Sequence, residues 1–146
     1  MDHETKVRSN QRVDKSSEKS PHIPRRISQS NQNGEVIIKN LELRDMEIGD
    51  TGVEILSEYS LLDIETLDLQ ENYVSPLGAM ILSEKTKWKN LKTLCLSKNR
   101  IGHKGARVLS KNGSWTKLTE LDLSYNSIFS KGVTALSKSN LTEDVQ

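Results

Sequence analysis

The sequence predicts an α/β solenoid, a short horseshoe of stacked strand–turn–helix units with parallel strands on the concave face and helices on the convex face. Three observations predict it. Asn72, Asn99 and Asn126 stand 27 residues apart, and so do Gly78, Gly105 and Gly132. Around them the chain reads "IKNLELRDMEIGDTGVEILS", "IETLDLQENYVSPLGAMILS", "LKTLCLSKNRIGHKGARVLS" and "LTELDLSYNSIFSKGVTALS", four units with the same apolar columns. Within each unit the apolar spacing changes from that of a strand to that of a helix. A fixed period of this kind marks an architecture in which no unit buries its own leucines but a stack of units does.

The third unit shows why each part forms. In "LKTLCLS", Leu94 and Leu96 point inward while Thr93, Cys95 and Ser97 point outward, the alternation of a half-buried strand. Asn99 then bends the chain, its amide bonding backbone groups of its own and the neighbouring turn that would otherwise go unsatisfied. Ile101 plugs the corner. The return leg "HKGARVLS" sets Ala106 and Leu109 on one helical face, and Gly105 or Ala106 leaves room for the helix to lie against the strand layer. In the second unit Ser75 and Pro76 read as helix N-cap and first-turn proline. Leu61, Trp88 and Trp115 precede the next unit by three residues each, which predicts packing between units rather than a stacking platform for nucleobases. The first unit carries Met46 in place of the asparagine, as a unit with no preceding neighbour can.

These units resemble the leucine-rich repeat family, and within it the ribonuclease-inhibitor-like class, whose units run L-x-x-L-x-L-x-x-N-x-I-x-x-x-G-A-x-x-L. The resemblance covers about residues 36 to 140. It implies a non-enzymatic module that binds another protein through its concave sheet, as in ribonuclease inhibitors and the sensor arrays of innate-immune receptors. The activators of the Ran GTPase belong to the same class, so a regulator of a small GTPase is the alternative, beside a fragment of a longer receptor or effector. The fold itself hosts many unrelated binding tasks.

Two regions differ in their physics. Residues 1–34 hold seven basic and four acidic residues, six serines and few large apolar side chains, so they are expected to form a disordered basic tail. Within it "RRIS", Arg25 to Ser28, resembles a basophilic kinase site, a short match that arises readily by chance. Residues 35–146 form the repeat domain, with 14 basic and 16 acidic residues. Counting 27 from Leu118 lands on Val145, where a fifth strand is due. The expectation is truncation of a longer array, or a last strand edge, carrying Leu121 and Leu123, that pairs with another chain.

Overall the chain balances 21 basic against 20 acidic residues, which argues against a dedicated nucleic-acid or membrane binder. A single cysteine excludes an internal disulfide and fits a reducing compartment. With no apolar run of about 18 residues and no secretory h-region, a cytoplasmic location is expected, with nuclear location or export to a host left open. His3, His22 and His103 do not cluster, so neither a metal nor a cofactor is predicted.

The candidate site is the outward face of the strands: Glu42, Arg44, Asp68, Gln70, Cys95, Ser97, Glu120, Asp122 and Ser124, with Tyr125 as an aromatic anchor at the rim. Four acids against one base make the face acidic and suit a partner with a basic patch. Cys95 replaces the acid of the other units. For nucleophilic catalysis it would need a base within reach, and His103 is expected on the opposite layer.

Overall fold

The computed structural model of the chain describes residues 27–30, 32–33, 36–59 and 63–138. Its elements follow in the order β1 (Ile27–Ser30), β2 (Val36–Glu42), α1 (Gly49–Glu58), β3 (Thr66–Asp68), α2 (Pro76–Lys85), β4 (Thr93–Cys95), α3 (Gly102–Leu109), β5 (Glu120–Asp122) and α4 (Phe129–Leu136). The five strands form one sheet in the order of the sequence. From β2 to β5 the pairing is parallel and in one register, so Leu41, Leu67, Leu94 and Leu121 line up across the sheet. The helices pack in the same order, each against the next.

The core lies between the two layers. Leu67, Leu69, Leu94 and Leu96 on the strand side, Ile64 and Leu91 at the strand entries, and Leu82 and Leu109 on the helices are shut off from solvent. Burying such a side chain stabilises by about 1.5–3 kcal/mol each, so leucine columns supply the main cohesive term. Gly105 marks a close helix contact: a Cβ there would meet the Ala79 Cβ at 3.0 Å and the Pro76 Cα at 3.3 Å. Ser75 caps α2 through its Oγ, which accepts from the Leu77 N–H at 3.1 Å, and Pro76 opens the first turn. Trp88 and Trp115 are buried in the connectors, and the Trp115 Nε1–H donates to Thr86 Oγ1 at 3.1 Å. They are packing residues, as their spacing predicts; Leu61 of the same column lies outside the described residues.

The asparagine column holds the turns together. Asn99 Oδ1 accepts from the N–H groups of Asn72 (3.1 Å) and Val74 (2.8 Å), while its Nδ2 donates to the carbonyls of Leu69 (2.9 Å), Leu96 (3.0 Å) and Ser97 (3.1 Å). Asn72 and Asn126 repeat the pattern on their own preceding turns. One amide thus satisfies backbone groups of two adjacent bends, which a buried turn requires. Met46 stands in the corresponding place of the first unit and is half-exposed.

The structure corrects the boundary of the tail. Residues 27–30, expected to be disordered, form β1 and pair antiparallel with β2, so the sheet is mixed rather than wholly parallel. The reason is the exposed edge of β2: a first repeat leaves a row of unpaired N–H and C=O groups, and a short antiparallel strand covers it. Asn33-Gly34, a hairpin-turn dipeptide between the two strands, is the signal that could have placed it. The expectation for residues 1–26, and that for the end of the array beyond residue 138, lie outside the described residues. No helix among the described residues is long and apolar enough to cross a membrane.

Candidate functional site

The strand register lays the outward residues in rows. Glu42, Asp68, Cys95 and Asp122 are Cα partners across β2 to β5, with Asn40, Thr66, Thr93 and Glu120 in the row beside them. Parallel strands stand about 4.8 Å apart, so the first row carries three carboxylates and one thiol over three strand spacings. No cation pairs with Glu42, Asp68, Glu120 or Asp122 among the described residues. Asp68 and Asp122 are instead held in place by the backbone, their Oδ1 atoms accepting from the N–H groups of Gln70 (2.8 Å) and Ser124 (2.9 Å). The carboxylates are therefore fixed in orientation yet not neutralised.

Cys95 sits in the middle of this row, half-buried, with its Sγ 3.4 Å from Ser97 Oγ and 3.8 Å from Asp122 Oδ2. Burial pushes its thiol pKa above the ordinary value, the bonds from Ser97 oppose that, and the charges of Asp68 and Asp122 push it up further. A thiol kept protonated is a poor nucleophile. His103 is exposed on α3, in the other layer, and does not approach it. Among the described residues no three His, Cys, Asp or Glu side chains gather as a metal site.

The rim departs from the expected face in two places. Arg44, the one base predicted there, bonds Glu71 Oε1 at 3.2 Å, and Lys98 reaches the same oxygen at 3.0 Å. Two cations thus share one carboxylate, so this rim trio keeps a net positive charge beside the acidic row. Ser97 is only 4 % exposed and offers no contact surface. In an interior repeat its turn is enclosed from both sides: the Ser97 carbonyl accepts from the Glu71 N–H (3.1 Å) of one turn, and the Lys98 N–H donates to Ser124 of the next (2.9 Å). Ser124, in the same column of the fourth unit, is exposed. Tyr125 is 81 % exposed and stands on a left-handed residue (φ 56°) at the strand end, in a column with Asp45, Glu71 and Lys98, all of positive φ. That backbone turns the side chain of each column member onto the rim.

Sequence reasoning missed the charges that bridge repeats. Glu65 bonds Lys39 on one side (3.1 Å) and Lys92 on the other (2.6 Å). Glu71 does the same with Arg44 and Lys98, and the Arg100 guanidinium lies 4.6 Å from the centre of the Tyr73 ring. Lysine bonds hold both glutamates below the usual carboxylate pKa, Lys92 before Lys39 at Glu65, and Lys98 before Gln70 and Arg44 at Glu71. Reading the charged residues at the repeat spacing would have shown the alternation.

The model of the leucine rich repeat family matches residues 89–110 and 116–137, the third and fourth units. No curated protein matches the chain.

Proposed function

Because the chain is a leucine-rich repeat protein, and such repeats serve in general as protein-interaction modules, we propose that it is a non-enzymatic binding module whose concave sheet takes a basic surface of another protein. The observation that carries this reading is the row Glu42, Asp68 and Asp122, whose carboxylates are set in register by the parallel sheet and pair with no cation among the described residues. A lysine- or arginine-bearing partner gains from such a row in two ways: steering before contact and charge-assisted bonds after it. Glu120 adds a fourth carboxylate in the row beside it, and Tyr125 supplies an exposed aromatic at the rim. Cys95 acts here as a neutral spacer between acids. Assignment to the ribonuclease-inhibitor-like class is supported by the full α-helix in each return leg.

The test is a quantitative pull-down with the wild-type chain and with the triple variant Glu42→Lys, Asp68→Lys, Asp122→Lys, whose fold is checked by circular dichroism. Partners recovered by the wild type should be lost by the variant and weakened by added salt. Equal recovery by a folded variant would overturn the concave-face reading.

A further inference from the structure

The helix layer is electrically polar, and its basic end encloses a groove. Helix α1 carries Asp50, Glu54 and Glu58 with no base, whereas α3 and α4 carry His103, Lys104, Arg107 and Lys131 with no acid. Between α3 and α4 lies an open cavity of about 660 Å³ lined by His103, Arg107, Lys131, Thr134, Ala135 and Lys138. No carboxylate is among these residues. Lys39, Arg44, Lys85, Lys92 and Lys98 each pair with a glutamate. Arg107, Lys131 and Lys138 have no anionic partner among the described residues.

We propose that this groove is a second docking surface, on the layer opposite the concave sheet, for an acidic helical segment of a partner protein. Its shape supports a helix. Lys131, Thr134 and Ala135 fall at i, i+3 and i+4 on α4, and His103 and Arg107 at i and i+4 on α3, so the lining forms two ridges, with the small Thr134 and Ala135 on that of α4. The helices approach closely below the groove, where a Cβ on Gly132 would stand 3.2 Å from the His103 Cα and 3.3 Å from the Ala106 Cβ. Cations from Lys131 to Lys138 span about two helical turns, ~10 Å, the interval at which glutamates at i, i+4 and i+7 recur on one face of an incoming helix. Arg107 offers a bidentate fork to one of them, and the lysines act as point charges. A nucleic acid fits less well: among the described residues the groove has no aromatic side chain for base stacking, and the acidic concave sheet on the same small domain opposes an extended polyanion.

The test uses the full chain and a fluorescein-labelled helical peptide bearing glutamates at i, i+4 and i+7, followed by fluorescence anisotropy at low salt. A single-stranded oligonucleotide of equal charge and vesicles containing phosphatidylserine are run beside it. The peptide should bind and be displaced by salt. Arg107→Glu with Lys131→Glu, both at exposed positions, should weaken it by at least about tenfold, while Lys87→Glu with Lys89→Glu, the same charge change at exposed connector positions, should weaken it far less. No binding, or binding unaffected by the α3 and α4 substitutions, overturns the proposal. Tighter binding of the oligonucleotide or the vesicles overturns it too, because the groove would then be a general polyanion site.

Discussion

The carboxylate of Asp50 caps the helix of the following repeat through Ser75. Its Oδ1 accepts from the Ser75 N–H at 2.8 Å and from the Gly78 N–H at 3.0 Å, and its Oδ2 accepts from the Ser75 hydroxyl. Ser75 in turn caps α2 with its own oxygen. One acidic side chain on α1 thus fixes where α2 starts and neutralises part of its exposed N–H dipole. Asp50→Ala should lower stability by about 1–2 kcal/mol in urea unfolding, and Asp50→Asn should recover part of it. An Asp50→Ala variant as stable as wild type would mean that Ser75 suffices alone.

Asn99 is the most heavily committed polar side chain, with five bonds to two turns. Replacing it with alanine strands backbone groups on both sides, so Asn99→Ala should cost on the order of 3 kcal/mol. Asn126→Ala should cost less, because among the described residues Asn126 Oδ1 accepts from a single N–H, that of Ile101 at 3.1 Å. Equal losses in chemical denaturation would show that the additional N–H accepted by Asn99, that of Asn72, carries no weight.

Both Glu65 and Glu71 have carboxyls held below their ordinary value of 4.5 by lysine partners. A depressed folded pKa adds stability that is fully present above the unfolded value and is lost as pH falls through the folded one. Melting temperature should therefore drop on acidification below about pH 4.5, and Glu65→Gln with Glu71→Gln should make that part of the curve flatter while lowering stability at neutral pH. Parallel curves for variant and wild type would count against these bridges.

Phe129 has φ 52° in a column where Gly49 and Gly102 also take φ 58°, and its ring is 73 % exposed. A left-handed backbone costs an L-residue roughly 1–2 kcal/mol, and an exposed ring offsets little of it. Phe129→Gly should raise stability by up to about 1 kcal/mol. A clear loss in thermal unfolding would mean that the ring makes a contact of its own.

The raised pKa of Cys95 predicts slow chemistry. Alkylation of the folded chain by iodoacetamide at neutral pH should run well below the rate of a free cysteine, and Cys95→Ser should keep the fold. Fast labelling would show an activated thiolate and reopen catalysis.

How much of this was readable beforehand depends on the range over which each signal acts. The repeat period, the inward leucines, the bridging asparagines and the Ser75–Pro76 cap are written in local spacing, so the fold followed from them. Strand β1 was not foreseen because polar composition dominates residues 1–34, although Asn33-Gly34 marks a turn. At the site, the acidic row was legible once the register was known, but the pairing of Arg44 with Glu71 and the burial of Ser97 depend on what the neighbouring turns do. The basic groove escaped for a similar reason: its cations belong to two helices and only stacking brings them together.

The shared glutamates also bear on how freely the units can be exchanged. Along one edge of the sheet the charges run Lys39, Glu65, Lys92, and along the other Arg44, Glu71, Lys98. Excising the second unit as a cassette would set Lys39 against Lys92, a like-charge encounter, and would remove the glutamate that Arg44 and Lys98 share. Although the backbone repeats every unit, the charges at these positions do not, so neighbouring units of this solenoid are not interchangeable parts.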